Sequence, residues 1–211
     1  MATAARFTKA KAKREYMKAG LYGKTGSGKT LTSLLIAEQL ATIEGKRIAY
    51  IDTEKSTALY VRDVPERLVH PKGFDFDILE TKSIFEALEA VESINPDETG
   101  VLVVDSITAL WDAAKATYNG KMTSKGGIPI QAWGAIKKPY KRLISLLMDG
   151  KYHAFVCGRE GVDMTNDDDG DPVVVGSKMK SESETPFEFH LLMRMVPERE
   201  ENGAHKIRVF F

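Results

Sequence analysis

The chain is 211 residues long, with 30 lysines and arginines against 30 aspartates and glutamates, so its formal net charge is zero. One domain with a real core fits this length, and the balanced charge leaves any argument about nucleic acid to local clusters. The single cysteine, Cys157, excludes an internal disulfide and suits a reducing compartment; with no apolar run of membrane-spanning length and no signal-peptide core, the expected location is cytoplasmic.

Residues 1–15 are expected to form a basic arm and residues 16–211 one domain. In "ARFTKAKAKREYMK" six cations (Arg6, Lys9, Lys11, Lys13, Arg14, Lys18) face one acid, Glu15. Such a run is a solvated tail or an arm that touches nucleic acid or a neighbouring subunit. "EYMKAGLYG" (15–23) reads as a strand entering "GLYGKTGSGKT" (20–30). Gly23 and Gly28 flank four residues, and Lys29 and Thr30 follow, which is the phosphate-binding P-loop pattern. Glycines let backbone N–H groups close on one anion. The nucleotide-binding set is therefore Gly23, Lys24, Thr25, Gly26, Ser27, Gly28, Lys29 and Thr30. Lys29 would meet the β- and γ-phosphates, and Thr30 would ligate Mg²⁺. Residues 29–42 carry a helical period, with the positive end toward the phosphates. Lys24 matches a signature of one dimeric P-loop subclass, but that subclass wants glycine where Thr25 stands, so Lys24 reads as a solvated lysine.

"KRIAYID" (46–52) is a buried-strand run that ends at Asp52, with Glu54 just beyond it in "AYIDTEKS". A carboxylate at that strand end can orient a water for attack on the γ-phosphate; the alternative is a surface acid pair in a loop. Residues 74–79 are a shorter strand candidate. Ser83, with Glu86 three residues on, opens a helix over 83–94. "GVLVVDS" (100–106) is an apolar strand ending in a carboxylate, the Walker B pattern, with Asp105 beside the P-loop as the second Mg²⁺ ligand. Ser106 either supports that site or starts the next turn. Residues 129–149 read as a helix kinked at Pro139, 152–158 as a strand, and 188–196 with 205–211 as a closing hairpin. The alternation predicts an α/β fold with a mainly parallel sheet and helices on both faces. Residues 112–128 and 161–177 resist assignment.

Taken together, "YIDTEKS", "VVDSITAL" (103–110) and "AFVCGRE" (154–160) resemble the ATPase core of RecA-type recombinases over residues 15–211. The small size and "KMKSESETPFEFHLLMRM" (178–195) are more similar to small phage RecA-like ATPases associated with single-strand annealing. The resemblance implies a RecA-like P-loop core closed by an antiparallel hairpin, with ATP and Mg²⁺ as ligands. It makes Glu54 the catalytic base beside Lys29 and Asp105, and puts Tyr60 on the adenine. It implies single-stranded DNA, a homo-oligomer (ring or filament) and a phage single-strand-binding protein as partners, in the host cytosol. Two DNA-binding loops would fall at 114–129 and 161–178. Lys115, Tyr118, Lys121 and Lys125 suit the first. In the second, Asp163, Asp167, Asp168, Asp169 and Asp171 would repel DNA, and "DMTNDDDGDP" reads equally as a solvent-facing hairpin tip or a metal-attracting acidic turn. The family's γ-phosphate-sensing Gln is missing, which leaves Arg159 or Glu160 for that role. A neighbour's cation would complete the site; Lys178, Lys180, Lys206 and Arg208 are the candidates. The other readings are a nucleotide-gated dimeric switch of the partitioning class, a small-molecule kinase, and a structural nucleotide-binding subunit with little turnover.

Overall fold

The computed structural model describes residues 9, 15–55, 57–61, 73–124, 126–200 and 205–211. Most of the N-terminal arm, and Lys125, lie outside these described residues.

The strands are β1 (Lys18–Gly23), β2 (Arg47–Asp52), β3 (Asp77–Glu80), β4 (Thr99–Asp105), β5 (His153–Asn166), β6 (Pro172–Met179), β7 (Leu191–Arg199) and β8 (His205–Phe210). The helices are α1 (Lys29–Glu44), α2 (Ile84–Glu92), α3 (Ile107–Ala116), α4 (Trp133–Asp149) and the short α5 (Thr185–Glu188). The main sheet runs β3-β2-β4-β5-β1-β7-β8. Neighbours from β3 to β7 are parallel, and β8 returns antiparallel to β7. The α/β class and the closing hairpin expected from the sequence are thus present.

A parallel strand covered on both faces needs an unbroken apolar run, and β4 supplies one, buried at all seven positions. Its alternation sends Leu102 and Val104 to the cluster under α2, α3 and α4. Val101 and Val103 go to the opposite cluster, under α1. On β5, Ala154 and Val156 join the first cluster, and Phe155 and Cys157 the second. The lone cysteine is therefore core, as the apolar run implied. Leu34, Ala37 and Ala41 bring α1 onto the sheet; the small residues allow close approach. Helix α1 ends at Gly45, whose left-handed φ of 64° lets its N–H reach back to the carbonyls of Ala41 and Thr42.

The Ser83 cap is present, with Ser83 Oγ accepting from the Glu86 N–H at 3.3 Å. The return arm differs from a standard capping box. Glu86 accepts from the Thr81 hydroxyl, and Thr81 in turn accepts from the Ser83 N–H. Pro139 sits inside α4, which continues past it to Asp149.

The two stretches left unassigned take definite structure. Residues 161–177 are not a long loop: β5 runs on beyond the main sheet and pairs antiparallel with β6. The aspartates make the turn itself, since Asp167 Oδ1 accepts from the N–H groups of Asp169 and Asp171, with Gly170 at a φ of 87°. Of the two readings of the acidic stretch, the hairpin tip is the one the strand pairing shows. Helix α3 extends into the other unassigned stretch, as far as Ala116. Strand β5 lies between β4 and β1, and Asp105 at the end of β4 still reaches the P-loop side, where Thr30 meets it.

Candidate functional site

The P-loop joins β1 to α1, at the carboxyl ends of the parallel strands, where such sheets place ligands. Gly28 is the N-cap of α1 with a φ of 83°, a conformation that L side chains resist, and no side chain among the described residues caps this helix end. Gly23 is needed for space: a Cβ there would lie 2.3 Å from the Met195 carbonyl oxygen. The Lys29 ammonium folds back over the loop and donates to the carbonyls of Gly23 (3.1 Å) and Lys24 (3.0 Å). An open helix N-terminus, a glycine-lined cradle and a central cation are the donor set that a polyphosphate requires.

Across from the loop, Thr30 Oγ1 donates to Asp105 Oδ2 at 2.5 Å. Tyr50 Oη donates to the same oxygen at 3.0 Å. Burial pushes the Asp105 carboxyl up, with the Glu54 charge adding to it, against the hydrogen bonds from Thr30 and Tyr50 and the Lys29 charge. Burial, then the Asp105 charge, also drives the Tyr50 phenol upward, so it remains a proton donor. A hydroxyl and a buried carboxylate in contact form an all-oxygen pair that suits a hard divalent cation such as Mg²⁺.

The turn after β2 presents Glu54. Asp52 is buried and faces inward, its Oδ1 accepting from the N–H groups of Glu54 and Lys55 and its Oδ2 from the Thr57 hydroxyl. Asp52 is thus the scaffold of the turn and Glu54 is the carboxylate held out from it. Thr53 Oγ1 accepts from the Ser106 N–H at 2.8 Å, tying the ends of β2 and β4 together. Ser106 is the N-cap of α3, and its hydroxyl donates to Glu54 Oε1 at 3.1 Å. Ser106 therefore starts the next helix, and its hydroxyl supports Glu54. Arg159, on β5, also reaches Glu54 Oε1, through Nε at 3.1 Å and Nη2 at 3.0 Å.

The remaining sequence candidates are spread more widely. Tyr60 lies in a 3-10 turn and packs against the cluster under α1. Lys24 and Thr25 are exposed. Glu160 is paired with Arg194. Partial burial pushes the Glu160 carboxyl up, but the Arg194 contacts prevail and hold it below the usual carboxylate range. Lys115 pairs with Asp112 at 2.7 Å, and the Tyr118 hydroxyl donates to the Lys121 carbonyl. Lys121 is exposed, whereas Tyr118 packs partly on the core. Lys178, Arg208 and Lys206 have partners in their own chain: Asp163, Glu198 and Glu200. Sequence reasoning missed Tyr50 and Thr53 and did not foresee the Arg159–Glu54 pair. Tyr50 stands two residues before Asp52 on the same strand, and period-two alternation alone would have aimed both at one face.

Fold and site define a P-loop ATPase domain of RecA-like architecture. A family profile described as an AAA domain matches residues 15–209, and the chain belongs to that family. The DNA repair and recombination protein RadB of Methanococcoides burtonii is 33% identical over 94 residues, covering 43% of this chain. The match spans only 41% of that relative's length. Among solved structures, a KaiC-like protein from the hyperthermophilic archaeon Pyrococcus horikoshii superposes with a TM-score of 0.56 at 14% identity, covering 92% of this chain and 77% of that one. At that identity the likeness is one of fold.

Proposed function

We propose that this protein hydrolyses ATP with Mg²⁺ and acts as a homo-oligomer, a ring or a filament, on single-stranded DNA in phage recombination or annealing. The observation that carries the reading is the placement of Glu54, held by Ser106 and Arg159 near the Thr30–Asp105 pair. In this reading Lys29 and the N–H groups of residues 23–28 hold the phosphates, and Tyr60 stacks on the adenine. Thr30 and Asp105 hold Mg²⁺, which when bound neutralises charge on the phosphate oxygens. Glu54 orients the attacking water and accepts its proton. A neighbouring subunit supplies a further cation to the transition state. Among the four candidates, Lys180 has no ion-pair partner among the described residues, which makes it the readiest.

The DNA role is supported by the printed name of the RadB relative and by the exposed Lys121 after α3. Lys115, Tyr118 and Lys125 complete the candidate contact segment, and a phage single-strand-binding protein is the expected companion on the strand.

The test is ATP turnover with and without single-stranded DNA, for the wild type and Glu54→Gln. Stimulation by DNA and loss of turnover in the variant are expected. Absence of both sinks the reading, and phosphate transfer to a small acceptor would make the protein a kinase instead. Sedimentation with an ATP analogue and an oligonucleotide tests assembly; a dimer indifferent to DNA would favour the switch class.

A further inference from the structure

Every hydrogen bond that the Glu54 side chain receives from the described residues arrives at one oxygen. Ser106 Oγ and Arg159 Nε both donate to Oε1 at 3.1 Å, and Arg159 Nη2 makes an ion-pair contact with the same oxygen at 3.0 Å. Oε2 receives none from the described residues. A carboxylate anchored in this way cannot exchange its oxygens freely, and one oxygen stays available to a water.

The anchor is itself fixed. The Arg159 N–H donates to Thr108 Oγ1 at 2.9 Å, and the Arg159 carbonyl accepts from the Lys180 N–H at 2.7 Å. Thr108 is fully buried on α3, and its hydroxyl donates to the Lys180 carbonyl at 2.6 Å. Arg159 also lies in register with Gly23 on β1, the first residue of the phosphate loop. Its backbone is thus set by α3, by the segment that follows β6 and by the P-loop strand together, and the guanidinium spans from β5 past the end of β4 to the turn after β2. Stability does not account for the pair, because the Arg159 side chain is 56% exposed, and ion pairs so exposed contribute little.

We propose that Arg159 is a positioning residue for the hydrolytic step: with Ser106 it clamps Glu54 Oε1, so that Oε2 meets the attacking water. The proposal rests on the reading of Glu54 as the water-orienting carboxylate. It assigns Arg159 to that carboxylate and not to the γ-phosphate, the role the RecA resemblance offered it. A planar guanidinium that donates through Nε while Nη2 pairs with the same oxygen fixes orientation, whereas lysine offers only a point charge.

The experiment compares steady-state ATP turnover and nucleotide affinity, read with fluorescent ATP and ADP analogues, in wild type, Arg159→Ala, Arg159→Lys, Glu54→Gln and the Arg159→Ala/Glu54→Gln double variant. Arg159→Gln replaces the alanine variant if alanine unfolds the chain. Removing the clamp is expected to lower kcat by roughly 10- to 100-fold, the scale of a mispositioned general base. KM and the ratio of ATP to ADP affinity stay at wild-type values, and Arg159→Lys recovers part of kcat. On a Glu54→Gln background the same change lowers the residual rate by less than about threefold, since the two residues act as a unit. Three results overturn the proposal: unchanged kcat in Arg159→Ala, selective loss of ATP over ADP binding, or an undiminished effect on the Glu54→Gln background. The last two would assign Arg159 to the phosphate. Wild-type kcat in Glu54→Gln alone removes the carboxylate reading itself, independently of any Arg159 variant.

Discussion

Thr30 and Asp105, 75 positions apart in the chain, meet in a 2.5 Å hydrogen bond at the mouth of the P-loop. The bond satisfies a carboxylate that burial would otherwise strand, and Tyr50 shares the task. Burial disfavours a negative charge on Asp105, at the place where a divalent cation is proposed to bind. Asp105→Asn removes that charge and retains an oxygen that can accept from both hydroxyls. Without metal, the variant is expected to unfold about 2–4 °C higher than wild type, corresponding to roughly 1 kcal/mol in a chain of this size. The further thermal shift that Mg²⁺ and ATP give the wild type disappears. Differential scanning fluorimetry with EDTA and with Mg·ATP checks both halves; a variant that keeps the full Mg²⁺-dependent shift contradicts the metal assignment.

Gly28 couples the phosphate loop to the closing hairpin. Its φ is 83°, and a Cβ there would lie 2.5 Å from Ile207 Cδ1 on β8. Gly28→Ala is expected to cost about 1–3 kcal/mol, part from the left-handed backbone and part from displacing Ile207. Adding Ile207→Ala to Gly28→Ala should recover the steric part and leave the backbone part. Urea unfolding of the two single variants and the double measures the split. Strictly additive losses would mean that the side chain does not oppose the Cβ.

Lys18 is buried at the opposite end of β1, its ammonium donating to the carbonyls of Gly150 (2.8 Å) and Tyr152 (2.6 Å). Burial pushes its pKa down to about 8 from 10.5, with Asp149 pulling part of the way back. Between these values the unfolded chain carries a proton that the folded chain lacks, so this group lets stability rise with pH. Cys157 and the tyrosines act in the opposite sense. Burial raises the Cys157 thiol above 9.0 and the Tyr152 phenol to about 12, so the unfolded forms ionise first and stability falls. The expected profile rises by about 1 kcal/mol from pH 8 to 9, levels off to pH 10, then declines. Lys18→Met should abolish the rise and keep the decline. Urea midpoints taken across pH 7.5–11 decide; a wild-type profile that is flat from 8 to 9 refutes the role given to Lys18.

The tip of the β5–β6 hairpin divides its aspartates by task. Asp167 builds the turn, while Asp168 and Asp169 are exposed. Changing Asp168 and Asp169 together to asparagine should leave stability within about 0.5 kcal/mol. Affinity for single-stranded DNA should stay within about twofold, because an acidic tip stands clear of a phosphate backbone. Lys121→Ala, in contrast, should weaken binding and reduce its salt dependence by about one released counterion. Titrations at several salt concentrations read both; a tenfold gain in the asparagine variant would put the tip against the strand.

Much of the site was legible in the sequence because its parts are local. The glycine spacing of the P-loop, the apolar run of β4 with its terminal Asp105, and the turn that exposes Glu54 each depend on neighbours within a few residues. The β5–β6 hairpin was legible only as one of two readings, since a run of aspartates and glycines suits a hairpin tip and a metal-attracting turn equally well. Contacts between distant segments were the least readable of all. Arg159 lies 105 positions from Glu54, and only the strand order β2-β4-β5-β1 brings them to one edge of the cleft. Sequence by itself determined the phosphate-loop pattern and which carboxylates stand at strand ends, because spacing and periodicity are short-range properties. The tertiary structure alone decided which groups hold those carboxylates, because crossover connections set strand order, and neither period nor spacing encodes which strands will lie side by side.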